Sequence, residues 1–357
     1  MTIFERIQSN IEIFEQSNCK FVKKTATPSG EEDLLHQIEF YQFADKHIHQ
    51  HYPTIIDFNV TTRPYFFVMP YYEHPSLTKL TLYSGITEID LSKKLMQVLS
   101  FLFNYQHPLQ TETPDENYLE EIYLRRIEKR LTYMASQHEN LETIIKKKFI
   151  EINGERYENI LPTLRRISES QRLLKALTPS TLYLTHGQLR FDHILINAEK
   201  DTFNDFILLE PRGIGELRDI GYEIGKIWQC LHSRILWIEQ EQHTIPNFEI
   251  KHDTFSVSGF DLQLPERVNV ADNALTLLKQ SLESDYEITK SNEINILISL
   301  AEASHSCAAL PFFYIASNPI MGMLYYALGA KALSIFTKQF VNRSEEHTSE
   351  LQSRVDI

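Results

Sequence analysis

Three residues in two short segments have side chains that could do chemistry. Residues 185–197 read THGQLRFDHILIN, a polar loop with an apolar, strand-like end, and they contain Gln188 and His193. Further along, FILLEPRG places Glu210 where a strand-like run ends. An amide, an imidazole nitrogen and a carboxylate can contact a polar ligand, and the last two can also coordinate a metal ion. The pattern therefore indicates a ligand or metal site built from two loops.

The same residues carry a family resemblance. HGQLRFDHIL followed by FILLEPRGIGELRDIGYEIGKI resembles the two linked motifs of the aminoglycoside phosphotransferase and choline kinase-like family. The wording EPRG and DIGYEIGKI resembles a bacterial branch of that family associated with surface-polysaccharide pathways. The resemblance implies a protein-kinase-like fold with its catalytic-loop region at 185–213, and it implies ATP and Mg²⁺ as cofactors.

The residues that would catalyse the reaction in that family are exchanged here. The resemblance puts Gln188 where the catalytic Asp would be, His193 where a metal-holding Asn would be, and Glu210 where the main metal-binding Asp would be. A Gln amide cannot accept a proton at neutral pH, and losing general-base help costs about 10²–10⁴ in rate. An imidazole nitrogen suits Mg²⁺ poorly, whereas Glu210 is an acceptable oxygen ligand. We expect impaired phosphotransfer, with Gln188 and His193 in the catalytic positions and Glu210 and His193 as metal ligands.

Simpler structural roles stay open for the same side chains. Gln188 could be a loop amide that satisfies backbone groups, and His193 a hydrogen-bonded loop histidine. Glu210 could pair with Arg212 or Arg190.

The nucleotide-binding parts of a kinase-like fold have candidates earlier in the chain. Lys24 shares a strand face with Val22 and could reach phosphates, while Glu39 on the next helix could pair with it. Met69 and Tyr71 lie in VMPYY, which could form the hinge that reads adenine through its backbone. The first hairpin contains no glycine, so the resemblance brings no glycine-rich phosphate loop. Alternatively, Lys24 and Glu39 form a solvated surface pair.

The elements that must position these residues follow from periodicity and turn signals. The apolar spacing predicts a helix over 31–47, and Ser17-Asn18 between two strand-like runs predicts a hairpin. RPYFFVMPYY predicts a strand that Pro70 ends, and residues 248–264 predict a second, surface hairpin. The remaining helices are predicted at 90–106, 116–137, 139–152, 157–177, 219–236, 266–284, 292–316 and 320–339. We expect an α+β, two-lobed protein-kinase-like fold, with a β-rich N-lobe at 1–72 and a helical C-lobe at 73–342.

Composition limits the classes of partner. The chain has 357 residues, of which 42% are hydrophobic and 23% charged, and a net charge of -13, which disfavours nucleic-acid binding. The three cysteines form no metal-binding spacing, and the apolar stretches are interrupted too often for a membrane span. Without an apolar core of signal-peptide type in the first residues, a cytoplasmic protein is expected. Residues 343–353 resemble a translated sequencing adapter, so 343–357 is treated as a non-native tail.

The sequence leaves three functions open. The first is a pseudokinase-like protein that binds a nucleotide, another small-molecule ligand or a partner protein. The second is an active ATP-dependent kinase that phosphorylates a hydroxyl of a sugar, aminoglycoside or choline-like acceptor, since positioning alone sustains slow transfer. The third is nucleotidyl transfer on the same fold.

Overall fold

The chain forms two compact units. The computed structural model describes residues 9–48, 50–197, 206–286, 292–309 and 318–341. The first unit comprises 1–112, 181–223 and 266–281, and the second comprises 113–180, 224–265 and 282–357. Every candidate site residue belongs to the first unit, and the adapter-like tail lies outside the described residues.

Twelve strands and twelve α-helices are found in the described part of the chain. The strands are β1 (Ser9–Gln16), β2 (Cys19–Ala26), β3 (Asp57–Asn59), β4 (Phe66–Pro70), β5 (Thr111–Glu112), β6 (Phe149–Ile152), β7 (Glu155–Glu158), β8 (Leu182–Tyr183), β9 (Ile194–Ile196), β10 (Phe206–Leu208), β11 (Asn247–Ile250) and β12 (Thr254–Ser258). The α-helices are α1 (Glu31–His47), α2 (Leu77–Tyr83), α3 (Glu88–Phe101), α4 (Arg126–Gln137), α5 (Glu139–Ile145), α6 (Ile160–Glu169), α7 (Gln171–Leu177), α8 (Ile220–Leu231), α9 (Ile235–Glu239), α10 (Pro265–Tyr286), α11 (Asn292–Ala308) and α12 (Pro319–Phe336).

The first unit contains a four-stranded antiparallel sheet in the order β1-β2-β4-β3. Ser17 and Asn18 connect β1 to β2 with φ of 53° and 61°, the two left-handed residues that suit a tight hairpin turn. Residues on alternate positions of β2, including Val22 and Lys24, are buried on one face of the sheet. The predicted hairpin, the strand ended by Pro70 and the shared face of Val22 and Lys24 are thus confirmed.

Helix α1 follows β2 and has the bounds that the sequence predicts. Three acidic residues occupy its first turn, where the helix dipole favours negative charge. Its buried face contains Leu34, Gln37, Ile38, Tyr41 and Ala44. This face includes one polar residue, Gln37, which helical spacing places among the apolar ones.

The second unit contains a four-stranded sheet in the order β11-β12-β6-β7, in which β12 and β6 are parallel. The predicted hairpin at 248–264 is confirmed as β11 and β12. The helices predicted at 139–152 and 157–177 are wrong over 149–152, which form β6, and over 157–158, which end β7. These strands are joined by Asn153-Gly154, both with positive φ, a strong hairpin signal between alternating apolar residues.

One helix in the described residues is long and apolar enough to cross a membrane. Helix α12 with the π-helical turn Thr337–Val341 has a mean hydropathy of 1.3 in its most apolar window. However, 67% of that window is buried within the protein, as in the core helix of a folded unit.

The α+β class expected from the sequence is confirmed, with a β-sheet in the N-terminal region and predominantly helices in the C-terminal region. The boundary between lobes at 72/73 stays a prediction.

The second unit depends on one buried amide, which gives a test of the fold. The Asn159 side chain donates to the carbonyls of Ile144 and Lys147 at 2.9 and 2.7 Å. Its oxygen accepts from the Ile160 amide and the Tyr326 hydroxyl. We expect Asn159→Ala to lower the free energy of unfolding by about 3 kcal/mol, because it leaves several buried polar groups unpaired.

Urea unfolding measures this change. Asn140→Ala, an exposed position in α5, is the control and should change stability by less than about 0.5 kcal/mol. Equal effects of the two substitutions would contradict the structural role of Asn159.

Candidate functional site

The strand pair β9 and β10 brings the two chemistry-bearing segments together. His193 immediately precedes β9, and Glu210 follows β10 by two residues. The strands are antiparallel with Leu208 opposite Ile194, and the Leu209 amide donates to the His193 carbonyl at 2.8 Å. The end of one strand therefore lies beside the start of the other, as the sequence reasoning required.

An ion pair between a buried lysine and a half-buried glutamate forms the centre of the site. The Lys24 ammonium contacts one carboxylate oxygen of Glu210 and donates to the Gln37 amide oxygen at 2.9 Å. The Gln37 amide nitrogen donates to the other Glu210 oxygen at 3.2 Å. The Lys24 side chain is 6% exposed and that of Glu210 30%. Gln37 thus bridges both charges, with its acceptor on the cation and its donor on the anion.

The electrostatics keep Glu210 ionised. Burial acts to raise the pKa of the Glu210 carboxyl, but the charges of Lys24 and His193 and the hydrogen bonds from Lys24 and Gln37 outweigh it and hold that pKa below its ordinary value. The carboxylate is therefore satisfied by groups of the protein itself.

The Glu210 backbone is held in an uncommon conformation. Its φ of 59° is left-handed, which few residues other than glycine adopt, and such residues cluster at functional sites. The Glu210 amide donates to the Tyr41 hydroxyl at 3.0 Å. Helix α1 thus positions Glu210 through Tyr41 as well as through Gln37.

The loop with Gln188 is organised by its two histidines. The backbone N–H of Gln188 donates to Nδ1 of His186 at 3.3 Å. The backbone carbonyl of Gln188 accepts from Nδ1 of His193 at 2.9 Å. His193 therefore acts here as a hydrogen-bonded loop histidine. His186 is buried, and its own amide donates to the Glu223 carboxylate at 2.7 Å.

The arginines near the site pair with acids other than Glu210. Arg190 makes two hydrogen bonds to the Asp192 carboxylate, at 3.0 and 3.3 Å. Arg212 donates to Glu216 at 3.1 Å. Glu210 therefore pairs with Lys24, and the open alternative in which it pairs with Arg212 or Arg190 is wrong.

The expected pairing of Lys24 with Glu39 is also wrong. Glu39 lies on the exposed face of α1, whereas Gln37, two residues earlier, lies on the buried face and contacts Lys24. Two residues correspond to about 200° around an α-helix, so the two side chains point in nearly opposite directions.

The geometry does not fit a bound Mg²⁺ ion. The described residues contain no group of three or more His, Cys, Asp or Glu side chains placed to hold a metal. Both Glu210 oxygens accept hydrogen bonds from Lys24 and Gln37, and a divalent cation there would face the Lys24 ammonium at contact distance. Nδ1 of His193 donates a hydrogen bond to the backbone carbonyl of Gln188. Glu210 is therefore already engaged, whereas the Nδ1 hydrogen bond of His193 leaves Nε2 as its acceptor nitrogen.

A cleft of about 710 Å³ lies in the first unit, and its lining includes Leu209, the residue before Glu210. Val22 of β2 lines it together with Leu195 and Leu209 from the β9–β10 segment, and the predicted hinge residues Met69 and Tyr71 form part of its wall. This volume is within the range of small-molecule sites, about 300–1,000 Å³. The cleft combines apolar surfaces with a mixed polar rim.

The backbone of the predicted hinge offers a ligand fewer hydrogen-bond donors than the sequence suggests. The Tyr71 amide donates to the Lys20 carbonyl at 3.0 Å, and Pro70 has no amide hydrogen. Met69 and Tyr71 can therefore contact a ligand by their side chains, but the Tyr71 amide is already used.

Gln37 and Tyr41 are site residues that the sequence reasoning missed. Both lie at helical spacing from Leu34, on the buried face of α1. A polar residue at such a position was the available signal, because buried polar groups require partners.

Comparison with known proteins gives similarity in three dimensions only. No family model matches the chain, and no curated protein matches its sequence. A choline kinase from Cryptosporidium parvum Iowa II superposes with a TM-score of 0.46 at 10% identity, covering 95% of this chain and 91% of that chain. A protein from Haemophilus somnus 129PT assigned as a fructosamine-3-kinase gives 0.46 at 9% identity, covering 88% and 87%.

Gly187 provides a test of how the two loops fit together. Its φ is +73°, and a Cβ added there would lie 2.9 Å from the Arg212 Cδ. We expect Gly187→Ala to lower the free energy of unfolding by about 2 kcal/mol, because it is strained in the backbone and also displaces Arg212. The control is Gly215→Ala, where no atom lies within 4 Å of the added Cβ. Urea unfolding that shows the same stability for both variants would refute the close fit.

The buried imidazole of His186 predicts a pH dependence of stability. Burial, with a contribution from His193, lowers the pKa of His186 from 6.5 to about 3. Between these values the unfolded chain binds the proton and the folded chain does not. The free energy of unfolding should therefore be fully retained above pH 6.5 and fall as the pH decreases toward about 3.

The contribution of His186 can be isolated by substitution. His186→Asn should reduce the slope of unfolding free energy against pH in this window by up to about 1.4 kcal/mol per pH unit. The exposed His252→Asn is the control and should leave the slope unchanged. An unchanged slope in His186→Asn would show that this imidazole is protonated equally in both states.

Proposed function

We propose that this chain is a kinase-fold protein of the aminoglycoside phosphotransferase-like kind that is impaired in phosphoryl transfer. Its cleft binds a nucleotide or another small ligand, and it does so without a divalent metal ion. Binding rather than turnover is its function.

The cluster of Lys24, Gln37 and Glu210 carries this proposal. In phosphoryl transfer the protein mostly positions groups and neutralises charge, with metal ions bridging the phosphates. Here the carboxylate that would hold the metal is paired with the lysine that would meet the phosphates. The two charges are joined by an amide that stabilises the pair. This arrangement supports a resting state that requires no metal for charge balance.

Gln188 supports the same conclusion from the reaction chemistry. It stands where the resemblance places the general base, and its amide cannot accept a proton from a hydroxyl acceptor. Asp192, four residues later, is the nearest carboxylate on the loop, but it makes two hydrogen bonds to Arg190. The described part of this loop therefore supplies no free carboxylate to replace the base.

The cleft lined by Val22 and Leu209 supports ligand binding. Val22, Leu195 and Leu209 offer apolar surface to a flat ring system, and Lys24 lies on the same strand face as Val22. An anionic group attached to the ring could meet Lys24 only in competition with Glu210. We therefore expect moderate affinity for nucleotides, with recognition mainly through the ring.

Thermal unfolding in the presence of nucleotide tests the proposal. ATP at 100 times its Kd should stabilise the protein by about 2.7 kcal/mol, equally in EDTA and in Mg²⁺. No transfer of phosphate from ATP to water or to hydroxyl acceptors should be detected. The absence of stabilisation by any nucleotide would remove nucleotides as ligands, and measurable transfer would show an active kinase.

Substitution of Gln37 tests the role of the amide. Gln37→Glu removes the donor to Glu210 and places a second carboxylate beside Lys24, so Glu210 is released and the local charge becomes more negative. ATP should then bind about tenfold more tightly in Mg²⁺ than in EDTA, about 1.4 kcal/mol of binding free energy. Thermal shift or calorimetry measures the ratio of the two dissociation constants.

Gln42→Glu is the matched control, because it adds the same charge on the exposed face of α1. It should leave the ratio at one. If Gln37→Glu also leaves the ratio at one, the amide does not control metal use.

A further inference from the structure

A second cavity in the first unit, of about 740 Å³, shares no lining residue with the cleft described above. It is bounded by the end of α1, by α3 with the π-helix Leu102–Gln106, and by Phe206 of β10. Asn104 and Tyr105 lie in this π-helix, whose turn is wider than that of an α-helix. Such turns occur often at functional sites. Both side chains are exposed at the cavity.

The wall of this cavity is built by a packed, hydrogen-bonded histidine. His51 is 2% exposed, and its ring stacks on Phe206 with centroids 3.9 Å apart and an interplanar angle of 10°. The His51 and Phe101 rings make a T-shaped contact with their centroids 4.4 Å apart. Nδ1 of His51 donates to the Phe206 carbonyl at 3.1 Å, and the Leu208 amide donates to the His51 carbonyl at 2.7 Å. The wall is therefore pre-organised, which lowers the cost of binding.

The lining side chains define a ligand chemistry. Lys, Arg, Asp and Glu are absent from the described lining, which instead offers neutral polar groups at Gln50, Gln97, Ser100 and Asn104. His47 and His51 are the basic side chains of the described lining, so a phosphorylated or otherwise charged ligand would find no permanently charged partner there. An apolar ligand would displace water from the amides without replacing its hydrogen bonds.

Aromatic rings complete the lining. Phe101 and Tyr105 are stacked side chains with centroids 6.2 Å apart, and Tyr105 is 67% exposed. Such rings pack against the C–H face of a sugar, while amides and hydroxyls form hydrogen bonds with its hydroxyl groups. We propose that this cavity binds a neutral, polyhydroxylated ligand of the sugar class.

Calorimetric titration of the full chain with a panel of neutral methyl glycosides tests the proposal. At least one glycoside should bind saturably, and its 6-phosphate counterpart should bind more weakly. Tyr105→Ala should weaken that binding about tenfold, which corresponds to the loss of a stacked ring. Asn104→Ala should weaken it in the same direction. Both positions are exposed, so the variants retain the fold.

Two control substitutions keep the result specific. Tyr83→Ala removes a comparably exposed tyrosine from α2, outside both cavities, and should not change glycoside affinity. Tyr71→Ala alters the nucleotide cleft and should also leave it unchanged, so failure of the proposed nucleotide binding does not affect this test.

Three results would overturn the proposal. The first is no saturable binding of any glycoside up to about 10 mM, which is about ten times a weak dissociation constant of 1 mM. The second is tighter binding of the phosphorylated sugar. The third is an affinity that falls with Tyr71→Ala but not with Tyr105→Ala, which would place the sugar in the cleft.

Discussion

The contact between Lys24 and Glu210 is the interaction on which the rest of the site depends. Removing Glu210 would leave the buried Lys24 ammonium without its carboxylate partner, and an uncompensated buried charge is costly. The surrounding elements are arranged so that this does not happen. Strand β2 buries Lys24, the segment after β10 presents Glu210, and α1 supplies Gln37 and Tyr41 between them. Because Lys24 neutralises Glu210 within the protein, the site is suited to retain its shape without a ligand. It is less suited to release the Glu210 carboxylate to a metal ion.

Helix α1 determines which chemistry this site can support. A carboxylate at position 37 would compete with Glu210 for the single ammonium of Lys24. An amide stabilises both charges at once, because it has an acceptor and two donors in one group. An acid and an amide differ little in volume. With an acid at position 37 two carboxylates would share the Lys24 ammonium, whereas the amide completes a network of three residues. Gln188 in the neighbouring loop also carries a neutral side-chain amide.

The sequence predicted local structure better than contacts between distant residues. Helix α1 and the hairpin at Ser17-Asn18 follow from periodicity and turn chemistry, which act over a few residues. The β6–β7 hairpin has an equally local signal in Asn153-Gly154, but the apolar residues on either side also fit a helical pattern. The pairing of Lys24 with Glu210 spans 186 positions, and no spacing rule reaches so far. Charge points to Glu39 as the partner of Lys24, whereas the spacing of buried residues on α1 points to Gln37.

The arginine that follows Glu210-Pro211 fills the space beside the Gly187 Cα, and its amide donates to the His186 carbonyl at 3.0 Å. Position 187 is therefore constrained by its own backbone as well as by its neighbour. The Arg212 Cβ would itself lie 3.0 Å from a Cβ added at 187, so a shorter residue at 212 relieves only part of the contact, and the φ of +73° still disfavours any side chain. Gly187 places no such restriction on position 212, so we expect 187 to stay glycine in the descendants of this chain while 212 varies.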